Sequence, residues 1–169
     1  SIPITTSKQA INYKNLIEEC SGKNNFEALI PCYLTNNLNI GDFEYALKKN
    51  IFIGGKLYPS HATTNSQYGV ADIKKILERK SSSSVIMYDM AHIIGLIGPN
   101  FQNPYEEGAD IITGSTHKTF FGSQRGVIGA AYEEGTTEYD FWKSIERRAF
   151  PGSVSNHHLG TLLGLLMST

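Results

Sequence analysis

Neither sign of charge is in excess in this chain: 15 lysines and arginines stand against 16 aspartates and glutamates, for a formal net charge of −1. That leaves no basic field for nucleic acid or for an anionic membrane surface. Cysteine is scarce. Cys20 and Cys32 are the only two, and their separation fits neither a metal site nor a redox motif. Reduced thiols and a cytoplasmic setting are expected. No apolar run approaches the ~20 residues that cross a bilayer, and nothing reads as a signal peptide. The glycines form no G-x-G-x-x-G nucleotide loop. His157 and His158 are adjacent, and neighbours on a helix point about 100° apart. With no carboxylate at helical spacing they read as a surface or subunit contact, so no metal is expected. There is no internal repeat and no evident linker. Residues 1–169 are expected to form a single domain.

What is present is an alternation of helical and strand-like stretches. Ala10, Ile11, Tyr13, Leu16 and Ile17 predict an amphipathic helix over Ser7–Glu19. Ser21–Asn25 reads as its C-cap or turn. Ala28–Leu34 reads as a strand bent or edged by Pro31. Asp42 is placed to cap a helix running to Lys49. Ile51–Ile53 reads as a short buried strand ending at Gly54-Gly55. Lys56–Gly69 is loop, Val70–Arg79 a helix with Val70, Ile73, Ile76 and Leu77 on one face, and Ser81–Ser84 a turn. Val85–Tyr88 and Ile111–Ile112 read as buried strands, and Gly126–Tyr132 as a further strand. Tyr139–Phe150 and Asn156–Met167 read as helices. The pattern implies an α/β fold with three layers and a mostly parallel sheet.

The chemistry gathers in two stretches. Ala109–Arg125 begins as an apolar run and ends in Thr113, Ser115, Thr116, His117 and Lys118. Such a run reads as a strand whose carboxyl end opens into a polar cleft, where open α/β sheets place their sites. A lysine held there by aromatic and small neighbours is expected to lose solvation. Its neutral amine would then suit Schiff-base chemistry. Upstream, Ser84–Leu96 ends a strand in Asp89, with His92 three residues on. One crossover separates Asp89 from Lys118, so both strand ends can face one cleft. Asp, His and Lys together suggest pyridoxal phosphate: the lysine forms an imine, and the aspartate keeps the ring nitrogen protonated.

Asp89-Met90-Ala91-His92-Ile93 with Gly95-Leu96, followed by Ser115-Thr116-His117-Lys118-Thr119, resembles the two signature blocks of the serine hydroxymethyltransferases. Phe150-Pro151-Gly152 resembles a third. The resemblance runs from about Leu29 to Leu166. It implies reversible transfer of a one-carbon unit between serine and a tetrahydrofolate carrier, yielding glycine. Lys118 would hold pyridoxal phosphate covalently and Asp89 would tune its ring. His92 would contact the ring or its phenolic oxygen, and His117 would lie by the lysine and influence the reaction. Ser115 and Thr116 would join in cofactor binding. After Gly54-Gly55 the family places a serine near the cofactor, for which Ser60, Thr63 and Ser66 are the candidates here.

The chain also departs from the family pattern. Gly122-Ser123-Gln124-Arg125-Gly126 stands where Gly-Pro-Arg-Gly-Gly is usual, and Ser155-Asn156 stands where a glycine pair helps bind phosphate across a subunit interface. The family's enzymes are longer, with a preceding phosphate-binding segment and a small C-terminal domain. The chain is therefore expected to be the middle of a large domain of a pyridoxal phosphate-dependent transferase. It would act as a homo-oligomer or with a complementing chain. Rival readings are another enzyme of the same fold, such as an aldolase or a hydroxymethyltransferase for an α-substituted serine, and a truncated module without catalysis. Alone, the chain is expected to bind the cofactor weakly or not at all.

Overall fold

The computed structural model describes residues 2–22, 26–62, 66–73, 78, 81, 83–156 and 158–169. The chain divides into two compact units, Ser1–Lys80 and Ser81–Thr169. Half of the helix expected over Val70–Arg79, residues 74–77 and 79, lies outside the described residues, and at its start Val70 forms a parallel bridge with Pro59.

In the first unit, helix α1 spans Ser7–Ser21. A reciprocal capping box starts it: the Gln9 amide donates to Thr6 Oγ1 (3.3 Å) and the Thr6 amide to Gln9 Oε1 (3.1 Å). Gly22 ends it at φ 69°, where a side chain would be strained. Helix α2 spans Ile40–Lys48, and its cap is Asn39, whose Oδ1 accepts from the Asp42 amide (3.1 Å). This corrects the expectation that Asp42 would cap it. The Asp42 carboxylate instead accepts from the Ser7 amide (2.8 Å) and hydroxyl (2.5 Å), at the start of α1. A carboxylate is favoured there by the exposed N–H groups of the helix. These bonds from Ser7 hold the Asp42 carboxyl below its ordinary range.

The core of this unit is Ala10, Ala28, Ile30, Cys32, Ala46 and Phe52, with Ile4, Ile17, Leu34 and Phe43 among those packed against it. Ala28, Ile30 and Cys32 are buried while Leu29 and Pro31 are exposed, the period of two of a one-sided strand. Only Cys32–Tyr33, strand β1, completes parallel pairing, with Gly55–Lys56, strand β2. Pro31 has no N–H to extend the ladder. The expected strand at Ile51–Ile53 is not one: Phe52 is buried in the core, Ile53 is exposed, and the pairing begins two residues later. Burial pushes the Cys32 thiol up to about 11, so it stays protonated.

The second unit carries a three-stranded sheet in the order β3-β4-β5. Strand β3 is Met87–Asp89, β4 is Ile111–Ser115 and β5 is Gly126–Ala130. β3 and β4 are parallel, with Met87 opposite Ile111 and Asp89 opposite Thr113. Asp110 aligns them: its amide donates to the Ile86 carbonyl (2.9 Å) and its Oδ2 accepts from the Ile86 amide (2.7 Å). β4 and β5 are antiparallel, with Ser115 opposite Gly126. The short Thr116–Arg125 connection imposes that sense, since parallel neighbours need a crossover of a dozen or more residues. The two sheets together are mixed, and the α/β class holds. Val85 and Met87 are 50% and 62% exposed, so the strand read as buried has an open face.

Helix α3, Thr137–Arg147, begins on Thr136, whose hydroxyl accepts from the Tyr139 amide (3.2 Å). Asp140 and Glu138 in its first turn and Arg147 in its last complement its dipole. It ends at an irregular turn, Arg148–Ser153, in which the Phe150–Pro151 peptide is cis. Helix α4, Leu159–Leu166, follows.

Candidate active site

β3 and β4 run the same way and end at the same edge, so the register sets the site. Asp89 is the last residue of β3, beside Thr113, and β4 continues through Ser115 into the turn that bears His117 and Lys118. The edge is stitched by two further bonds. The Met90 amide donates to the Thr113 carbonyl (2.8 Å), and Ser115 Oγ donates to the Ala91 carbonyl (3.2 Å).

A second junction joins the two signature stretches. After Asp89 the chain turns through Ala91–Ile93 into a 3-10 turn, Ile94–Leu96. The Gly95 amide donates to Thr119 Oγ1 (3.2 Å). A Cβ at Gly95 would lie 2.2 Å from the Thr119 carbonyl oxygen, so only glycine permits this approach. The residue after the lysine is thereby held by the aspartate's own loop.

Asp89 is exposed, and its Oδ1 accepts from the Ala91 amide (3.0 Å). Its Oδ2 has no partner among the described residues, which leaves an acceptor for a ring N–H. His92, His117 and Lys118 are also exposed. The expectation of a desolvated lysine is corrected accordingly: among the described residues no aromatic or small neighbours bury it, and Phe121 is itself 92% exposed. Thr116 is different again. It is 3% exposed, and its hydroxyl donates to the Ser123 carbonyl (2.5 Å), with the Arg125 carbonyl 3.3 Å away. A hydroxyl has one proton to give. With that proton held inside the turn, Thr116 cannot donate to a phosphate, and its observed place is at the turn's base.

Of the hydroxyls expected after Gly54-Gly55, Thr63 lies outside the described residues. Ser66 is 1% exposed, and its carbonyl accepts from the Gly69 amide (2.9 Å) and the His61 amide (3.2 Å). Ser60 donates its amide to the Val70 carbonyl (2.9 Å). Both serve to fold that loop within the first unit. His157 is outside the described residues, and the His158 carbonyl accepts from Arg125 Nη2 (2.5 Å). Sequence reasoning missed Thr119, Ser123 and Arg125 as parts of the site's frame. Arg125 had one signal, its displacement within a glycine-rich turn. Among the described residues no helix is long and apolar enough to cross a membrane.

The family model for serine hydroxymethyltransferase matches residues 41–167. The serine hydroxymethyltransferase of Archaeoglobus fulgidus is 46% identical over 100 residues, which are 59% of this chain and 21% of the relative. That of Thermoplasma volcanium is 54% identical over 81 residues, 47% of this chain and 18% of the relative. That of Methanosphaera stadtmanae is 43% identical over 122 residues, 72% of this chain and 25% of the relative. The chain thus spans about a fifth to a quarter of the length of these curated relatives.

Proposed function

The chain belongs to the serine hydroxymethyltransferase family, and on that premise we propose that it supplies the lysine-bearing part of a pyridoxal phosphate site. The reaction is reversible one-carbon transfer between serine and a tetrahydrofolate carrier. One observation supports this above the rest: the parallel register that sets Asp89 beside Thr113, with the His117-Lys118 turn leaving the same edge. Pyridoxal phosphate, when bound, supplies an aldehyde that condenses with an amine and a ring that takes up electrons.

The residues present fit those needs in part. Lys118 offers an exposed amine. Asp89 offers Oδ2 to a protonated ring nitrogen and, by its charge, keeps that proton in place. His92 and His117 stand one on each connected loop, the former to contact the ring or its phenolic oxygen, the latter to move a proton near the lysine. Ser115 and Thr116 shape the edge through bonds to Ala91, Ser123 and Arg125. A phosphate dianion needs several N–H or hydroxyl donors, and here the hydroxyl protons of both residues are already donated. We therefore assign most of the phosphate cradle to residues outside this edge, from a second copy or a complementing chain, within the three-layer large domain of such a transferase. All of residues 1–169 would belong to that one domain, in a cytoplasmic oligomer.

Titration of the isolated chain with pyridoxal phosphate, followed by absorbance, tests both parts. A weak lysine-dependent band, lost in Lys118→Ala, is expected. A band that survives Lys118→Ala overturns the lysine's role. Stoichiometric micromolar binding by a monomer overturns the shared cradle. In the assembled protein, serine turnover that does not need tetrahydrofolate would overturn the reaction assigned.

A further inference from the structure

We infer that Arg125 is a positioning residue that fixes the lysine-bearing turn, Thr116–Arg125, onto the first turn of α4. The inference rests on the reading of Lys118 just given. Arg125 acts at both of its ends. Its backbone closes the turn, since its carbonyl accepts from the Thr116 amide (3.0 Å). Its side chain leaves the turn: Nη2 donates to the His158 carbonyl (2.5 Å) and to Thr161 Oγ1 (2.5 Å). Ser123 adds a parallel tie, its hydroxyl donating to the Thr161 carbonyl. Gly122 fits closely between, because a Cβ there would lie 2.8 Å from Leu165 Cδ1 and 2.9 Å from the Thr116 carbonyl.

The charge of Arg125 argues for a role in the turn rather than in the helix. His158 and Thr161 stand at the amino end of α4, where the helix dipole is positive and repels a cation. A neutral side chain of the same reach would suit the helix better. What keeps the guanidinium there is a pair of charge-assisted bonds to fixed oxygens, which are stronger and more directional than neutral ones. Its Nε is buried without a partner among the described residues, so the fork serves the α4 side alone. The cost of that orphan group falls on the same residue. The turn gains an anchor at a distance from Lys118, and the lysine's direction of approach is set by it.

Two measurements on the intact chain test this. The first is amide hydrogen exchange. In Arg125→Met the Thr116 amide, which closes the turn on the Arg125 carbonyl, should exchange about tenfold faster or more, while the amides of Ile111–Thr113 in β4 keep their protection. The second maps which lysines react. The chain is incubated with pyridoxal phosphate and reduced with borohydride, which adds hydride to the carbon of the C=N bond, and labelled lysines are located by mass spectrometry. Lys118 should be labelled ahead of the exposed Lys48. Arg125→Met should narrow that lead by roughly tenfold, the scale on which misplaced groups lose rate. Arg125→Lys, which keeps a cationic donor, should restore part of it. Unchanged exchange in Arg125→Met overturns the inference. Faster exchange with unchanged Lys118 labelling also overturns it, since the tie would then be structural only. Labelling of Lys118 no faster than Lys48 in the unaltered chain marks failure of the lysine reading instead, and exchange still decides the tie. Should Arg125→Met not fold, Thr161→Val removes one acceptor and should give the same changes at smaller size; no change in either measurement then overturns the inference.

Discussion

The two units divide their labour. The first keeps an interior: Ala10, Ala28, Ile30, Cys32, Ala46, Phe52 and Val70 are buried in it. The second carries the candidate site residues, and among its described apolar side chains only Met90 and Ile111 are buried. Met87, Phe121, Val154, Leu159, Leu163, Leu166 and Met167 are all more than half exposed there. Its sheet is held mainly by backbone ladders and by polar stitches at the site edge, such as Ser115 to Ala91 and Thr116 to Ser123. The difference teaches that a lysine can be placed by register and hydrogen bonds before it is enclosed. Enclosure, which sets solvation, is a separate requirement, and the described residues of this unit do not meet it at Lys118.

The largest expected break in the comparison is Phe52→Ala. It removes a large buried side chain from the core of the first unit and should cost about 3–5 kcal/mol. Denaturant melts read by circular dichroism should lose the first unit's transition, with the sheet amides of β4 still protected from exchange. Loss of both together would mean that the units unfold as one. Thr116→Val attacks the other side. Its isosteric methyl leaves the Ser123 carbonyl short of a donor, and about 1–3 kcal/mol of destabilisation is expected, confined to the second unit.

Smaller effects sharpen the contrast. Asp42 has a folded-state pKa below its unfolded one, because Ser7 bonds its ionised form. Its contribution is present in full above the unfolded pKa and is lost as pH falls below about 4. A melt at decreasing pH should show the first unit losing a few degrees through Asp42, and Asp42→Asn should flatten that dependence. Smallest in energy but simplest to read is thiol reactivity. Iodoacetamide at neutral pH should label exposed Cys20 and spare Cys32, whose thiol is buried and protonated. Equal labelling of the two would mean that the core of the first unit opens readily.

The placing of the candidate residues at strand ends was more legible in the sequence than their surroundings. Asp89, His92, His117 and Lys118 fall at or just beyond the ends of β3 and β4, and strand ends are local features. Helix α1 was likewise legible, from its periodic apolar face; it ends at Ser21 rather than Glu19 because Gly22 is the residue able to terminate it. What was not legible depended on distant partners. Asp42 looked like a cap, but its oxygens went to Ser7, 35 residues away. Gly126–Tyr132 read as a further strand in a mostly parallel sheet, but it pairs only over Gly126–Ala130, and the length of the turn before it makes that pairing antiparallel. The burial expected around Lys118 required surfaces that apolar runs alone cannot assign.

The approach of Gly95 to Thr119 bears on how such a site can change over generations. With a Cβ barred at 2.2 Å from a backbone oxygen, no side chain can be tried at position 95 unless the lysine's loop shifts first. Such a shift moves Lys118 itself. The two stretches therefore cannot drift independently, and a working lysine loop transplanted into a foreign scaffold would need the aspartate's glycine turn transplanted with it. Variation is freer on the outward face of β3, where Met87 meets no such backbone wall.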